Sequence, residues 1–494
     1  MLINILNNSF KVIAAESFIL VTLLALLVFC VFNAKLDDSS NYNIMNPTLG
    51  LSILIMLLGL IIIGNNPFND VISFNHTLIS NQFTDFVKNL VLFSTICILI
   101  LSIDYVRNEK IFSFEYVLLI CFSVVGMLFM ISSFDLLTIY LSLELQSLCF
   151  YILASIKRYS EYSTEASFKY FILGAFASGF LLFGFSIIYG LTGTTNIEQL
   201  YLLFYNIEEL NSITLYIGSS LILVGLLFKL GAVPFHMWIP DVYEGSPTTV
   251  TAFFAIVPKI VILTLIFRLF SYAMYDASDI IRNLLIVSSL LSMVVPTITA
   301  LVQTRLKRLF AYSTIAHVGY ILMGIIAGTI EGVQSVLLYI IIYIVMSIGV
   351  FTILINIRKQ SNNIRIKYIK ELSNLSQINP ILAISLVLLL FSMAGIPPLA
   401  GFFGKLYIFG SSINSGSYIL PLIGVITSVI GSVYYIYLIK VMYFEKDKPV
   451  VLLYQMSKPA SIILGSSIIF VTFFFLHASP LFILCHKLAL TISI

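Results

Sequence analysis

An all-α polytopic membrane protein of about fourteen transmembrane helices is what this sequence predicts, and two observations carry the prediction. Hydrophobic residues fill 60% of the 494 positions and charged residues only 10%, against about 25% charged in soluble globular domains. Predominantly apolar runs, such as Phe18 to Phe32, Leu51 to Ile63, Val117 to Ile131 and Ile462 to Leu476, approach the roughly 20 residues that cross a hydrocarbon core as a helix.

Windows of that kind centre near Leu24, Met56, Leu92, Ser123, Leu145, Phe180, Leu223, Ile260, Leu290, Gly319, Tyr343, Ser392, Ile430 and Ile468, and we number the helices in that order. The longest polar connections, Asn196 to Asn211 and Arg358 to Asn379, leave no room for a soluble domain. One membrane domain follows, 1–494, with N-terminal helices in 1–110, a first repeat in 111–272, a second in 279–445 and a last helix in 446–494. The repeats are expected from helices 7 and 12. Pro234 breaks the first, and Gly395, Pro397, Pro398, Gly401 and Gly404 break the second. Corresponding broken spans point to two inverted five-helix repeats, helices 4–8 and 9–13.

Several function classes drop out. The net charge of +3 is spread over many loops, without the basic stripe that nucleic-acid binding needs. Cys30, Cys97, Cys121, Cys149 and Cys485 stand far apart in apolar stretches, which reads as small buried residues rather than metal ligands. No Gly-rich phosphate loop follows a strand. Only Lys11 precedes the first apolar run, and neither a cleavage site nor an Arg- and Ser-rich leader is evident, so helix 1 is expected to be retained.

Cations sort the connections by side, because cationic loops stay on the side of synthesis. Connections after helices 1, 3, 5, 9, 11 and 13 hold 17 of 26 Lys and Arg, among them Lys35, Arg107, Lys157, Arg305, Arg358, Lys367, Lys446 and Lys448. Lys11, Lys88, Arg268, Arg282 and Lys487 fall opposite. Both termini should therefore face away from the side of synthesis. Four cations belong to no connection: Lys169, Lys229, Lys259 and Lys405. A lysine at a helix centre costs about 2.5–3.5 kcal/mol on insertion scales and marks a functional site by default. Among the acids only Glu144 reads as comparably deep, and five such groups in one bundle suggest a charge relay.

Lys229 and Lys405 each sit beside a helix break, where freed backbone groups and half-helix dipoles solvate an ion. Lys259 follows Pro258 inside helix 8. Glu144 is free to pair with a lysine of a neighbouring helix, Lys169 being nearest in sequence. Making or breaking such a pair changes both proton affinities. Lys169 follows Glu165 closely, so a place at the helix mouth competes with the buried one. His236 and His317 lie near these groups, and an unperturbed imidazole exchanges protons near neutrality; a hydrogen-bonded interfacial histidine is the plainer alternative. Lys307 and Arg308 read as topology anchors.

Phe228-Lys-Leu-Gly-Ala-Val-Pro-Phe-His-Met-Trp-Ile-Pro-Asp-Val-Tyr-Glu-Gly-Ser-Pro247 resembles the signature of the antiporter-like membrane-arm subunits of respiratory complex I, in their chain 2 form. So do Lys307 to Tyr320, Gly328 to Ser335, Ala394 to Phe402 and Glu165 to Gly179. The resemblance implies fourteen helices, inverted repeats and a proton path through a helix-5 glutamate and lysines on helices 6, 7, 8 and 12, matching Glu144, Lys169, Lys229, Lys259 and Lys405. The family pattern pairs the glutamate with the helix-7 lysine, Lys229. Paralogues carry a His or Lys on helix 11, where this chain has Tyr343. FMN, iron–sulfur clusters and ubiquinone are implied on other subunits, and no cofactor or metal on this chain. Neighbouring antiporter-like subunits and lipid are the implied partners.

A plastid NAD(P)H-type complex is a second possibility, but its relatives read Pro-Ser-His-Gln-Trp where this chain has Pro234-Phe-His-Met-Trp238. A cation/proton antiporter subunit is a third. The mitochondrial inner membrane is the expected location, with mitochondrial encoding and both termini in the intermembrane space.

Overall fold

A computed structural model describes residues 10–33, 38–67, 70–111, 113–206, 212–273, 278–360, 365–445 and 454–492. Lys35, Lys446 and Lys448 lie outside these residues. Among the described residues, thirteen helices are long and apolar enough to cross a membrane. Helix 12 is the remaining expected span, split into Pro380–Ala394 and Ala400–Asn414.

Local chemistry sets the ends of several spans. Helix 3 (Gln82–Asn108) opens on a capping box, Asn81 accepting from the Thr84 amide and the Thr84 hydroxyl accepting from the Asn81 amide, which satisfies donors a helix start leaves orphaned. Pro380 starts helix 12, where its missing N–H costs nothing, and Asn379 accepts from the Leu382 amide at 3.2 Å. Helix 6 (Glu161–Thr192) stops at Gly193 with φ +70°, a left-handed cap open to glycine.

Radial position separates the helices. All twenty residues of helix 8 (Thr248–Phe267) are buried, and helices 10 (Leu306–Ile326) and 11 (Ile330–Asn356) are nearly as enclosed. Helices 6, 13 (Ile419–Phe444) and 14 (Lys458–Phe473) turn large apolar side chains outward, including Phe168, Phe176, Leu422 and Ile462. In lipid, helix association depends on close packing. Helix 6 approaches helix 7 (Ser212–Leu230) through Gly184, where a Cβ would lie 2.9 Å from the Gly218 carbonyl oxygen.

Three features depart from the sequence reading. The tail contains a further helix, Ser479–Ile492, beyond helix 14. A two-stranded hairpin, Val71–Ser73 with Leu78–Ser80, joins helices 2 and 3. Lys88, read as a loop cation, is buried inside helix 3 and pairs at 2.6 Å with Glu16 of helix 1 (Ala14–Asn33), itself 1% exposed. Glu16 is thus a buried acid near the end of its helix, where Glu144 lies inside its own.

Candidate functional site: lysines at two helix breaks

The first half of helix 7 ends at Leu230. Gly231, at φ +78°, donates to the Leu227 and Phe228 carbonyls, and the Ala232 amide donates to Leu227 at 3.0 Å. A cis Val233–Pro234 bond follows, and the chain resumes as Trp238–Gly245. The Trp238 indole donates to the Phe228 carbonyl at 3.0 Å. Helix 12 repeats this backbone. Gly395, at φ +87°, donates to Phe391 and Ser392, Ile396 donates to Phe391 at 3.1 Å, and Pro397–Pro398 is cis. Both ends are Schellman caps, which satisfy carbonyls the broken helix would leave bare.

Lys229 precedes its break, where its Nζ lies 5.9 Å from the Tyr151 ring centre and has no hydrogen-bond partner among the described residues. Glu144 stands close by without a hydrogen bond to it, since Ser147, which donates to Glu144, lines the same cavity as Lys229. Glu144, on helix 5 (Leu136–Ala154), accepts from the Ser147 hydroxyl at 3.2 Å through Oε2, while its buried Oε1 has no partner among the described residues. Lys229 and Lys259 line one small cavity of about 10 Å³ with Gln146, Ser147, Tyr170 and Trp238, room for about one water.

Lys259 is 4% exposed. Its Nζ reaches the Thr314 carbonyl at 3.3 Å and the Tyr343 hydroxyl at 3.5 Å. Beyond it lies His317, buried, its Nδ1 2.7 Å from the Tyr339 hydroxyl and its Nε2 3.4 Å from the Tyr435 hydroxyl. Its ring centre lies 5.5 Å from that of Tyr343, which Lys259 reaches, and 6.4 Å from that of Tyr320, which Lys405 faces. Lys405, past the helix-12 break, donates to the Ala394 carbonyl at 2.8 Å, and its ammonium lies 5.1 Å from the Tyr320 ring centre. It is buried like Lys259.

Lys229, Lys259, His317 and Lys405 thus form one interior array. His236 lies buried between the two pieces of helix 7, its Nδ1 unpartnered among the described residues. Lys169 does not join them. Its side chain is 44% exposed and pairs with Glu165 at 2.7 Å and Asp241 at 3.0 Å rather than with Glu144. Helix 6 is peripheral, so depth in sequence did not translate into burial. Lys307 donates to the Ser246 carbonyl at 2.7 Å and Arg308 pairs with Asp241 at 3.2 Å. Apart from Tyr343, the tyrosines around His317 carry no signal in the sequence. Tyr339 and Tyr343 stand four apart on helix 11, a spacing that puts both hydroxyls on one face.

Comparison with known proteins places this geometry. Residues 133–431 match the family model described as NADH:quinone oxidoreductase/Mrp antiporter, TM. The chain is 48% identical to NADH-ubiquinone oxidoreductase chain 2 of Marchantia polymorpha over 90% of each chain, and 44% identical to that of Oenothera berteroana over 98% of this chain and 99% of the relative. It is 43% identical to NADH-quinone oxidoreductase subunit N of Rhodospirillum rubrum over 87% of each. A chain of respiratory complex I from Thermus thermophilus superposes with a TM-score of 0.77 at 26% identity, covering 94% of this chain and 98% of that one. A chain of the Mrp complex from Dietzia superposes at 0.82 with 18% identity over 98% of each, a likeness of fold. The chain belongs to the NADH:quinone oxidoreductase/Mrp antiporter transmembrane family, among its complex I chain 2 and subunit N members.

Proposed function

We propose that this chain moves protons through the bilayer as a core membrane-arm subunit of H+-translocating NADH:ubiquinone reductase. Lys229, Lys259 and Lys405 are its proton carriers, and Glu144 is the charge that tunes the first of them. Lys229 carries the reading, as a lysine at a helix break with no hydrogen bond among the described residues to hold its proton and a cavity shared with Lys259. When Glu144 draws near, Coulomb attraction in a low-dielectric site favours the ammonium; when it withdraws, that support goes. The cavity then offers a one-water bridge towards Lys259. From there the Tyr343 hydroxyl and the His317, Tyr339 and Tyr435 group line the way to Lys405.

No redox chemistry falls to this chain. FMN, iron–sulfur clusters and ubiquinone belong to other subunits, and neighbouring membrane-arm subunits transmit the driving movement. Lys169, with Glu165 and Asp241 at the edge, serves as a charged contact for such a neighbour. The location is the mitochondrial inner membrane, with both termini in the intermembrane space and the gene in the mitochondrion. Two matching caps at helices 7 and 12 support the inverted repeats. The test is Glu144→Gln in assembled complex: proton translocation should fall while assembly holds, and unchanged pumping would remove Glu144 from the relay.

A further inference from the structure

Helices 1 to 3 hold a second charged group that the array above does not use. Lys88 and Glu16 meet at 2.6 Å with side chains 3% and 1% exposed, and Asp85 Oδ1 lies 4.0 Å from the same ammonium, at 16% exposure. Glu16 sits near the start of helix 1, Asp85 and Lys88 in the first two turns of helix 3, so all three lie towards one end of the bundle. Ser132, closing helix 4 (Glu115–Ser132), donates to Glu16 Oε1 at 3.2 Å. Asn66 and Ser80 reach Asp85 at 3.4 and 3.5 Å. A cavity of about 400 Å³ opens onto this group, lined by Glu16, Asp85, Lys88, Asn65, Asn66 and Lys11.

A buried ion pair that merely fastens helices is often replaceable by apolar side chains without loss. This one instead borders a cavity large enough for many waters, and its lysine stands between two carboxylates. Glu16, Asp85 and Lys88 sum to one negative charge, and among the described residues Lys11 is the other charged group lining the cavity. Ser132, Asn66 and Ser80 supply neutral hydrogen bonds.

We propose that Glu16, Lys88 and Asp85 form a proton-exchange site that loads from and releases to the aqueous phase at the N-terminal end of the bundle, separate from the lysine array. Asp85 takes a proton from cavity water. Its O–H bond then breaks as one forms on Glu16, while Lys88 remains an ammonium and turns from Glu16 to the regained Asp85 carboxylate. The trio goes from one negative charge to neutral, and release runs the same steps backwards. The Ser132 contact places helix 4 where it registers the change. The site uses none of the residues assigned to the relay, so either stands if the other fails.

The test is a pH-jump infrared difference spectrum of the intact complex in lipid. Acidification should produce a protonated-carboxyl band that is missing in Glu16→Gln, and in Asp85→Asn the band should rise roughly 100-fold more slowly, the scale of a lost acid–base shuttle. Identical difference spectra for the parent and Glu16→Gln complexes would overturn the proposal. If Glu16→Gln blocks assembly, the neutral pair Glu16→Gln with Lys88→Met decides. A fastening role predicts assembly with an unchanged spectrum and unchanged pumping, whereas the exchange site predicts assembly with the band gone.

Discussion

The breaks of helices 7 and 12 share a backbone and differ in what their lysines do. Both end in a left-handed glycine, a Schellman cap and a cis X-Pro bond two residues further on. Lys229 lies before its break and donates to nothing among the described residues; Lys405 lies after its break and donates to the Ala394 carbonyl that the break exposes. The indole of Trp238 performs the matching task at helix 7, bonding the Phe228 carbonyl. The backbone motif thus makes room for a cation, and side-chain placement sets how firmly the protein holds that cation's proton.

The largest expected effect lies in the backbone of helix 12. A Cβ at Gly401 would fall 1.9 Å from the Ser392 carbonyl oxygen, so Gly401→Ala forces the two half-helices apart. That overpacking should cost about 3 kcal/mol or more, read as loss of assembled subunit. At Gly231 the nearest atom is the end of the flexible Ile239 side chain. Gly231→Ala should therefore cost mainly the left-handed backbone, about 1–2 kcal/mol, and leave detectable assembly. Equal losses at the two positions would mean the breaks are braced alike.

Exchanging each lysine for methionine sharpens the contrast. Lys405→Met strips a buried carbonyl of its donor, which costs about 1–3 kcal/mol, so thermal stability and pumping should both drop. Lys229→Met loses no hydrogen bond and should pump poorly in a complex that melts close to normal. Trp238→Phe should weaken the helix-7 break by about 1 kcal/mol, with pumping less affected than stability.

The smallest effect belongs to a cluster outside the breaks. Glu109, just past helix 3, binds Arg365 at 2.7 Å, Arg358 at 3.3 Å and Lys157 in a close pair, tying the connector that leads into helix 12 to the end of helix 5. Burial pushes its carboxyl up, but Arg365 and then Lys157 and Arg358 outweigh this and hold it below the usual carboxylate value. A carboxyl depressed by folding contributes stability above its unfolded pKa, about 4.3, and that contribution fades as pH falls through the folded value. Glu109→Gln should thus lower thermal stability at neutral pH by an amount that shrinks as the medium is acidified towards and below pH ~4. A difference independent of pH would assign Glu109 to packing alone.

Glycine and proline made both breaks legible in the sequence, because few other residues end a membrane helix in its interior. Counting cations against connections found Lys229, Lys259 and Lys405, all of which lie in the interior. The same count placed Lys169 with them, yet helix 6 is peripheral and its lysine faces outward; position along a helix says nothing about which way a residue points. Lys88 shows the converse. It stands near a helix start, where a loop cation is the economical reading, and its partner Glu16 lies two helices away in sequence. The hydroxyls around His317 were hidden among 27 tyrosines, and only the packing of helices 10, 11 and 13 picks out Tyr339 and Tyr435.

Lys229→Arg in a fully assembled complex tests the central claim most directly. Guanidinium keeps the charge and approximate reach but does not give up its proton inside a protein. If Lys229 carries the proton, the arginine complex assembles with proton translocation nearly abolished and NADH oxidation slowed with it. Near-normal pumping with arginine would contradict the account, making Lys229 an electrostatic anchor and leaving Lys259 or Lys405 as the centre of the path.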